Sequence, residues 1–487
     1  MSLAITDGND GNSNGLCGLA AQEAVTLLRR NEVSPRELVE CALQRIANVE
    51  PVVNALTTVC AGRAMRRAQA IERAAVRRVR PDAFGRGWLY GLPIVVKDVI
   101  DVAGVRCTLG STLFAARIPV RSDIVVRTLA RNGAIIIAKS NTPAFASSGG
   151  LGTCNDLFGV TRNPWNPRFT CGGSSGGSAA ALASGEAWLA IGTDLGGSLR
   201  QPAAFCAVVG LRPTPGTVAR TAVDPYDTLC VVGPMARNVR DVALMLDAMS
   251  GTDAADPISC EAPALSFERG AIEALPPARV AFSPSLDLVE VDPEIAALCR
   301  RAIGLFAPPA TDLVDSGIDF SGARDALEVL RPHWLARHWG SVADRYPGRL
   351  DSGFAERIAR GRRVTISMLD AANGLRRRIS ARANAFFGSC DILACPTAPI
   401  APFAIDGPAP FAATEYAKEI DWTLLTYAIS LTGCPAISIP CGFTAAGLPV
   451  GLQLVAKPGA DRQLISAAAF LESRLKEVAR SREPNVD

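Results

Sequence analysis

The chain has 487 residues, 50 basic and 47 acidic side chains, a net charge of +3 and 48% hydrophobic residues. That hydrophobic share allows a large core and sets disorder aside, and the balanced charge argues against an electrostatic nucleic-acid binder. Fourteen cysteines with no C-x-x-C pair, Cys390 and Cys395 being the closest two, give no metal knuckle and read as reduced, mostly buried thiols of a cytoplasmic protein.

Residues 1–19 begin with a polar stretch without a charged and then apolar run, so they read as a flexible leader and not a signal peptide. From Ala20 the residues Ala24, Leu27 and Leu28 recur at helical spacing. Ser34, Pro35 and Glu37 occupy the N-cap, first and third positions of a capping box, which predicts a helix burying Leu38, Ala42 and Ile46. An arginine-rich helix is expected over about 61–78. The β-branched runs 91–97 and 133–139, bounded by glycines and polar turns, read as buried strands, with a helix over 122–132 between them. Strand, helix, strand at this spacing predicts an α/β fold with a mixed, mostly parallel sheet covered by helices on both faces.

The apolar stretches at 134–138 and 178–183 are too short or too rich in small residues to span a bilayer, so no membrane association is expected. Residues 170–216 are dense in Gly, Ser and Ala, which permits close backbone approach and marks a candidate site. Helices are expected near 292–306 and 322–340, with one or two more over 353–388. Strand signals return at 391–396, 436–440 and 451–455. Strands drawn from both ends of the chain predict a single large domain over 20–475, with a variable helical insert at 252–385 and a tail at 476–487.

Histidine is the informative scarcity: the chain has only His333 and His338. Ser-His-Asp and Cys-His schemes need one of them as base. Five residues apart on a helix they lie about 140° from each other, so they share no face for a metal. Other groups must carry the chemistry, and three segments stand out: 171–178, with Ser174, Ser175 and Ser178 among glycines; 192–200, with Thr193, Asp194, Ser198 and Arg200; and Lys97 at the end of a strand. The first lacks the lysine of a phosphate-binding loop. Gly173 to Gly177 fits G-x-S-x-G, but no apolar strand precedes it, as the nucleophile elbow of a Ser-His-Asp α/β-hydrolase requires.

The combination resembles the amidase signature family. The likeness is carried by 172–213, GGSSGGSAAALASGEAWLAIGTDLGGSLRQPAAFCAVVGLRP, and by GLPIVVKD at 91–98, LFGVTRNPWNP at 157–167, GPMARNVRDVALMLD at 233–247 and GLPVGLQLVA at 447–456. It implies Ser198 as nucleophile, Ser174 as bridging serine after a cis peptide bond, and Lys97 as base. It also implies the N–H groups of Leu195, Gly196, Gly197 and Ser198 as oxyanion hole, with Ser175, Thr193, Asp194 and Arg200 in support. No cofactor or metal is implied. The segment 147–151 is similar to one lining the acyl pocket of relatives, which assigns Ser148 and Gly149 to substrate binding. Family members often carry glutamate and asparagine where this chain has Ala144 and Ser430.

The residues make chemical sense of those roles. A serine hydroxyl needs a neighbour to take its proton, and lysine, titrating near about 10.4 in water, serves only when burial keeps it neutral. Ser174 can accept a proton from Ser198 while passing its own to Lys97. The expected function is hydrolysis of a small-molecule amide, aryl amides, carbamates and ureas included, through an acyl-enzyme. The alternative within the family is the glutamine-hydrolysing A subunit of a transfer-RNA-dependent amidotransferase. A homodimer stays open. Phe306, Trp334 and Trp339 read as core or as further pocket walls, and the arginines at 357–382 as a solvated helix face or an interface.

Overall fold

Local chemistry sets the first elements. The Ser34 hydroxyl accepts the Glu37 N–H at 3.2 Å, the Glu37 carboxylate accepts the Ser34 N–H at 2.8 Å, and Pro35 opens the helix Pro35–Val53. Leu38, Ala42 and Ile46 are buried beneath it. The neighbouring helices run Ala21–Arg30, Ala61–Val76 and Ile124–Arg131. The computed structural model describes residues 13–76, 86–147, 152–306, 311–407 and 422–480.

Eleven strands form one sheet. They are β1 (Leu56–Val59), β2 (Pro93–Lys97), β3 (Ile135–Ser140), β4 (Leu189–Asp194), β5 (Val209–Arg212) and β6 (Val231–Ala236). The rest are β7 (Arg279–Phe282), β8 (Asp312–Asp315), β9 (Ile392–Pro396), β10 (Ala436–Phe443) and β11 (Pro449–Val455). Their spatial order is β1-β3-β2-β4-β6-β5-β10-β11-β9-β7-β8.

The sheet is mixed, as expected, but its parallel pairs are confined to the two flanks, and the edge pair β1/β3 is antiparallel. The pairs β3/β2, β2/β4, β9/β7 and β7/β8 run parallel, while the central run from β4 to β9 is antiparallel throughout. Connection length accounts for two of these pairs. Helix Ile124–Arg131 crosses between β2 and β3, as a parallel pair demands, whereas β10 and β11 are joined by a short turn closed by Thr444 N–H to Leu448 C=O at 2.9 Å. Every residue of β2, β3, β5, β6, β9 and β11 is buried, so both faces of the sheet are covered.

The glycine-rich segment is not a loop alone. Gly176–Ala183 is a helix buried from Gly176 to Leu182. A Cβ on Gly177 would lie 2.4 Å from Asn141 N and 2.5 Å from Ala55 O, so small residues let this helix sit directly on backbone. The segment 252–385 departs from a purely helical insert, since it supplies β7 and β8 to the main sheet besides Pro293–Ile303, Ala323–Arg345, Ser352–Arg362 and Ile366–Phe386. Within the span read as a leader, Ser13–Gly18 is helical. Its Cys17 is disulfide-bonded to Cys41, the Cα atoms lying 6.3 Å apart where the two helices pack, which corrects the fully reduced expectation; the other twelve cysteines are free. Among the described residues no helix is long and apolar enough to cross a membrane.

Candidate active site

Strand β2 ends at Lys97, whose side chain has no exposed surface. Three hydroxyls surround its Nζ: Ser174 Oγ at 2.7 Å, Ser175 Oγ at 2.9 Å and Thr193 Oγ1 at 3.0 Å. No carboxylate is among them. Asp98, next in sequence, turns away to Lys139 Nζ at 3.2 Å and to the Thr108 N–H at 3.1 Å. Burial therefore dominates and lowers the Lys97 amine to about 7, against the opposing pull of Cys230 and Asp194. An uncharged amine has two N–H donors and one lone pair, so one of the three hydroxyls must donate to Nζ. Ser175 Oγ donates instead to the Thr193 carbonyl at 3.3 Å, which leaves Ser174 and Thr193 as the groups able to share a proton with the amine.

Ser174 follows a cis peptide bond from Gly173 and lies just ahead of helix Gly176–Ala183. Ser198 sits in the turn between β4 and helix Arg200–Phe205. The two segments are tied by the Ser175 N–H donating to Ser198 C=O at 3.1 Å. Ser174 and Ser198 line the same cavity, of about 90 Å³. Among the described residues no hydrogen bond joins their hydroxyls; closing that contact is the step a relay requires.

The Ser198 turn is held by charge. Asp194 accepts Gly197 N–H at 2.9 Å and Leu199 N–H at 3.1 Å, and Arg200 grips both its oxygens, Nε at 3.0 Å and Nη2 at 2.8 Å. Arg212 adds a second guanidinium, its Nη1 at 2.7 Å from Asp194 C=O and 3.5 Å from Oδ1. Burial opposes the Asp194 charge, but the two arginines and these N–H bonds prevail and hold its carboxyl well below the usual carboxylate range. Arg200 is completed by Gln453 Oε1 at 2.6 Å, Ser430 Oγ at 2.9 Å and Thr426 C=O at 3.0 Å. Ser430, the departure noted in the sequence, thus belongs to the cage around Arg200.

This clamp amends one expectation. The Gly197 N–H, assigned to the oxyanion hole, is engaged by Asp194, whereas Leu195, Gly196 and Ser198 line the cavity. The glycines are spatially required. A Cβ on Gly196 would meet the Tyr427 ring at 2.2 Å, and one on Gly197, where φ is +117°, would meet Thr426 Oγ1 at 2.1 Å. Helix Leu424–Thr432 packs there, Thr426 Oγ1 donating to Gly196 C=O at 2.7 Å.

Above the serines the cavity is walled by Phe145, Ser147, Leu195, Arg331, Trp334, Trp422 and Tyr427. Arg331 lies over the Tyr427 ring and donates to its hydroxyl. Ser148 and Gly149 lie outside the described residues. Phe306 is core, stacked on Phe470. Trp339 packs on Phe145, and of the three aromatics singled out in the sequence only Trp334 reaches the cavity. His333 and His338 do not line it, and burial lowers both. The arginines of 357–382 do not act together: Arg357 is buried beside Ser147, Arg376 bonds Thr228 and Leu431, and Arg362 pairs with Asp344. Among the described residues no cluster of three or more His, Cys, Asp or Glu gathers as a metal site would need.

Thr426, Tyr427 and Trp422 escaped the sequence reading because only tertiary packing brings them to the turn. Arg212 and Gln453 lay inside the quoted GLRP and GLQLVA stretches, and a buried polar residue within an apolar strand was the signal available.

Comparison with known proteins shows the family to which the chain belongs. The model of the amidase family matches residues 37–465. The A subunit of a glutamyl-tRNA(Gln) amidotransferase from Moorella thermoacetica is 34% identical over 93% of this chain and 96% of its own length. An acylamidase from Rhodococcus erythropolis is 33% identical over 93% of this chain and 95% of its own. The crystal structure of a bacterial aryl acylamidase of the amidase signature enzymes superposes with a TM-score of 0.86 at 26% identity, covering 94% of this chain and 97% of that one. The chain belongs to the amidase signature family and is an amidase acting on carbon–nitrogen bonds.

Proposed function

We propose that the protein hydrolyses small-molecule amides, aryl amides among them, through a Ser198–Ser174–Lys97 relay and an acyl-enzyme. The observation that carries this reading is the fully buried Lys97 Nζ 2.7 Å from Ser174 Oγ with hydroxyls alone around it. The neutral amine takes the Ser174 proton as Ser174 takes that of Ser198, and Ser198 Oγ attacks the carbonyl. The N–H groups of Leu195, Gly196 and Ser198 receive the oxyanion, each such donor being worth roughly 2.7–4 kcal/mol. Reversal of the relay protonates the leaving nitrogen, and water then enters by the same route to release the acid. The aromatic walls Phe145, Trp334, Trp422 and Tyr427 suit a compact apolar or aryl group. The twelve free cysteines favour a cytoplasmic setting, and the single Cys17–Cys41 bond counts against it.

A second reading, the A subunit of an amidotransferase, is favoured by the 34% identity to such a protein. A screen of anilides, primary amides, phenylureas, carbamates and glutamine separates the two. The first reading expects the isolated chain to turn over anilides without releasing ammonia from glutamine; glutaminase activity with no action on the other amides would reverse the preference. Ser198→Ala should abolish turnover with the fold intact, and retained turnover rejects the nucleophile.

A further inference from the structure

Two cavities meet across one side chain. Beside the catalytic cavity of about 90 Å³ lies a second of about 190 Å³, and among the described residues Trp334 lines both. Chain neighbours split between them. Leu330 faces the second cavity and Arg331 the first; Leu229 faces the second and Cys230 the first. The wall at this point is therefore one residue thick.

The indole is fixed from the far side. Its Nε1–H donates to Asp227 Oδ2 at 2.9 Å, and its face stacks on His338 with 3.7 Å between ring centroids and 18° between planes. Asp227 is steadied by Arg220 at 3.6 Å. Asp227 and His338 both line the second cavity, so the catalytic cavity sees only the aromatic ring these groups hold upright.

We infer that Trp334 sets the length of substrate the enzyme accepts, and that the second cavity is a latent subsite for the tail of an extended arylalkyl amide. Its walls set apolar Leu229, Leu330 and Leu369 opposite charges that are already engaged, Asp224 with Arg337, Asp227 with Arg220, and Arg376 with Thr228, so the leucines are the part that suits an apolar tail. The inference rests on the amide-hydrolase reading of the first cavity.

The test compares acetanilide with phenylbutyranilide on wild type, Trp334→Ala and Trp334→Phe, with circular dichroism to verify folding. Trp334→Ala should raise kcat/KM for the long anilide relative to the short one by about tenfold or more, since each added methylene accommodated in a pocket can change the rate by that factor. Trp334→Phe, which keeps a ring in the partition, should leave the ratio within about twofold. An equal fall for both anilides would overturn the inference and leave Trp334 a packing residue. Binding of both anilides to Ser198→Ala with and without Trp334→Ala gives a readout free of turnover. A selective gain of about tenfold for the long one supports the partition, and no gain rejects it. Wild type that binds these amides but cleaves none would instead overturn the hydrolase reading. If Trp334→Ala does not fold, Trp334→Leu takes its place under the same criteria.

Discussion

Two buried lysines stand on adjacent strands, one in each of two very different settings. Lys139 on β3 has a carboxylate, Asp98 Oδ1 at 3.2 Å, and the Ile100 carbonyl at 2.8 Å. Lys97 on β2 has three hydroxyls and no anion in contact. Both are fully buried. The comparison teaches that burial alone does not make a base. A buried ammonium with a counter-ion is a structural tie, whereas one denied a counter-ion gives up its proton near neutrality and becomes available for catalysis. Asp98 is the hinge of this division, because it follows Lys97 in sequence yet serves Lys139.

The comparison can be broken most forcefully at Lys97. Lys97→Met should lower kcat/KM on an anilide by about 10⁴-fold or more, by analogy with loss of a relay member in serine hydrolases, while the fold survives. A loss below about a hundredfold would make Lys97 a structural residue like its neighbour. The next effect is on stability. Asp98→Asn strands Lys139 in the core and should cost about 3–5 kcal/mol in urea denaturation. The double variant Asp98→Asn, Lys139→Met should recover most of that, to within roughly 1.5 kcal/mol of wild type, because no unpaired charge is then left in the core. A double variant no better than the single one would show that Asp98 acts through its Thr108 contacts.

Proton linkage sharpens the contrast further. The folded Lys97 value of about 7 lies below the unfolded value near about 10.4. The unfolded chain therefore holds more protons across that window. The cost of burying Lys97 is full below about pH 7 and disappears above about pH 10.4. Wild type should thus gain stability relative to Lys97→Met as pH rises from 7 to 10, by chemical denaturation; a flat difference would contradict the shift. In kinetics, kcat/KM should fall about tenfold per pH unit below 7 and level off above it, because the neutral amine is the active form.

Much of this contrast was legible in the residues. The capping box at Ser34 and the runs ending in Lys97 and Lys139 gave the right elements, because each is a local signal. Strands β4, β5 and β6 were harder to read. Their small residues, as in Leu189–Asp194, leave at most a short β-branched pair, and it is the packing of helix Gly176–Ala183 against β4 and β6, and of helix Arg200–Phe205 against β5, that makes them core. β7 and β8 were hidden for a related reason: each has four residues within a stretch read as helical. The three residues proposed as the relay, and the Asp194–Arg200 pair, were named by the resemblance to the amidase signature family, whose quoted motifs contain them. The engagement of Gly197 N–H by Asp194 was not legible, because the same four residues can direct that N–H to a carboxylate or to a cavity. The aromatic roof was legible only in part. Trp334 was picked out, but Trp422 and Tyr427 reach the site from a distant segment, and the Cys17–Cys41 bond depends on two helices meeting.

The charge state of Lys97 is the point on which the two settings part, and it is directly measurable. Titration of the Lys97 side-chain signal by heteronuclear NMR, assigned by comparison with Lys97→Met, should give a midpoint near 7. A midpoint near the ordinary lysine value of about 10.4 would contradict the account, since a permanently charged amine could not draw the proton from Ser174.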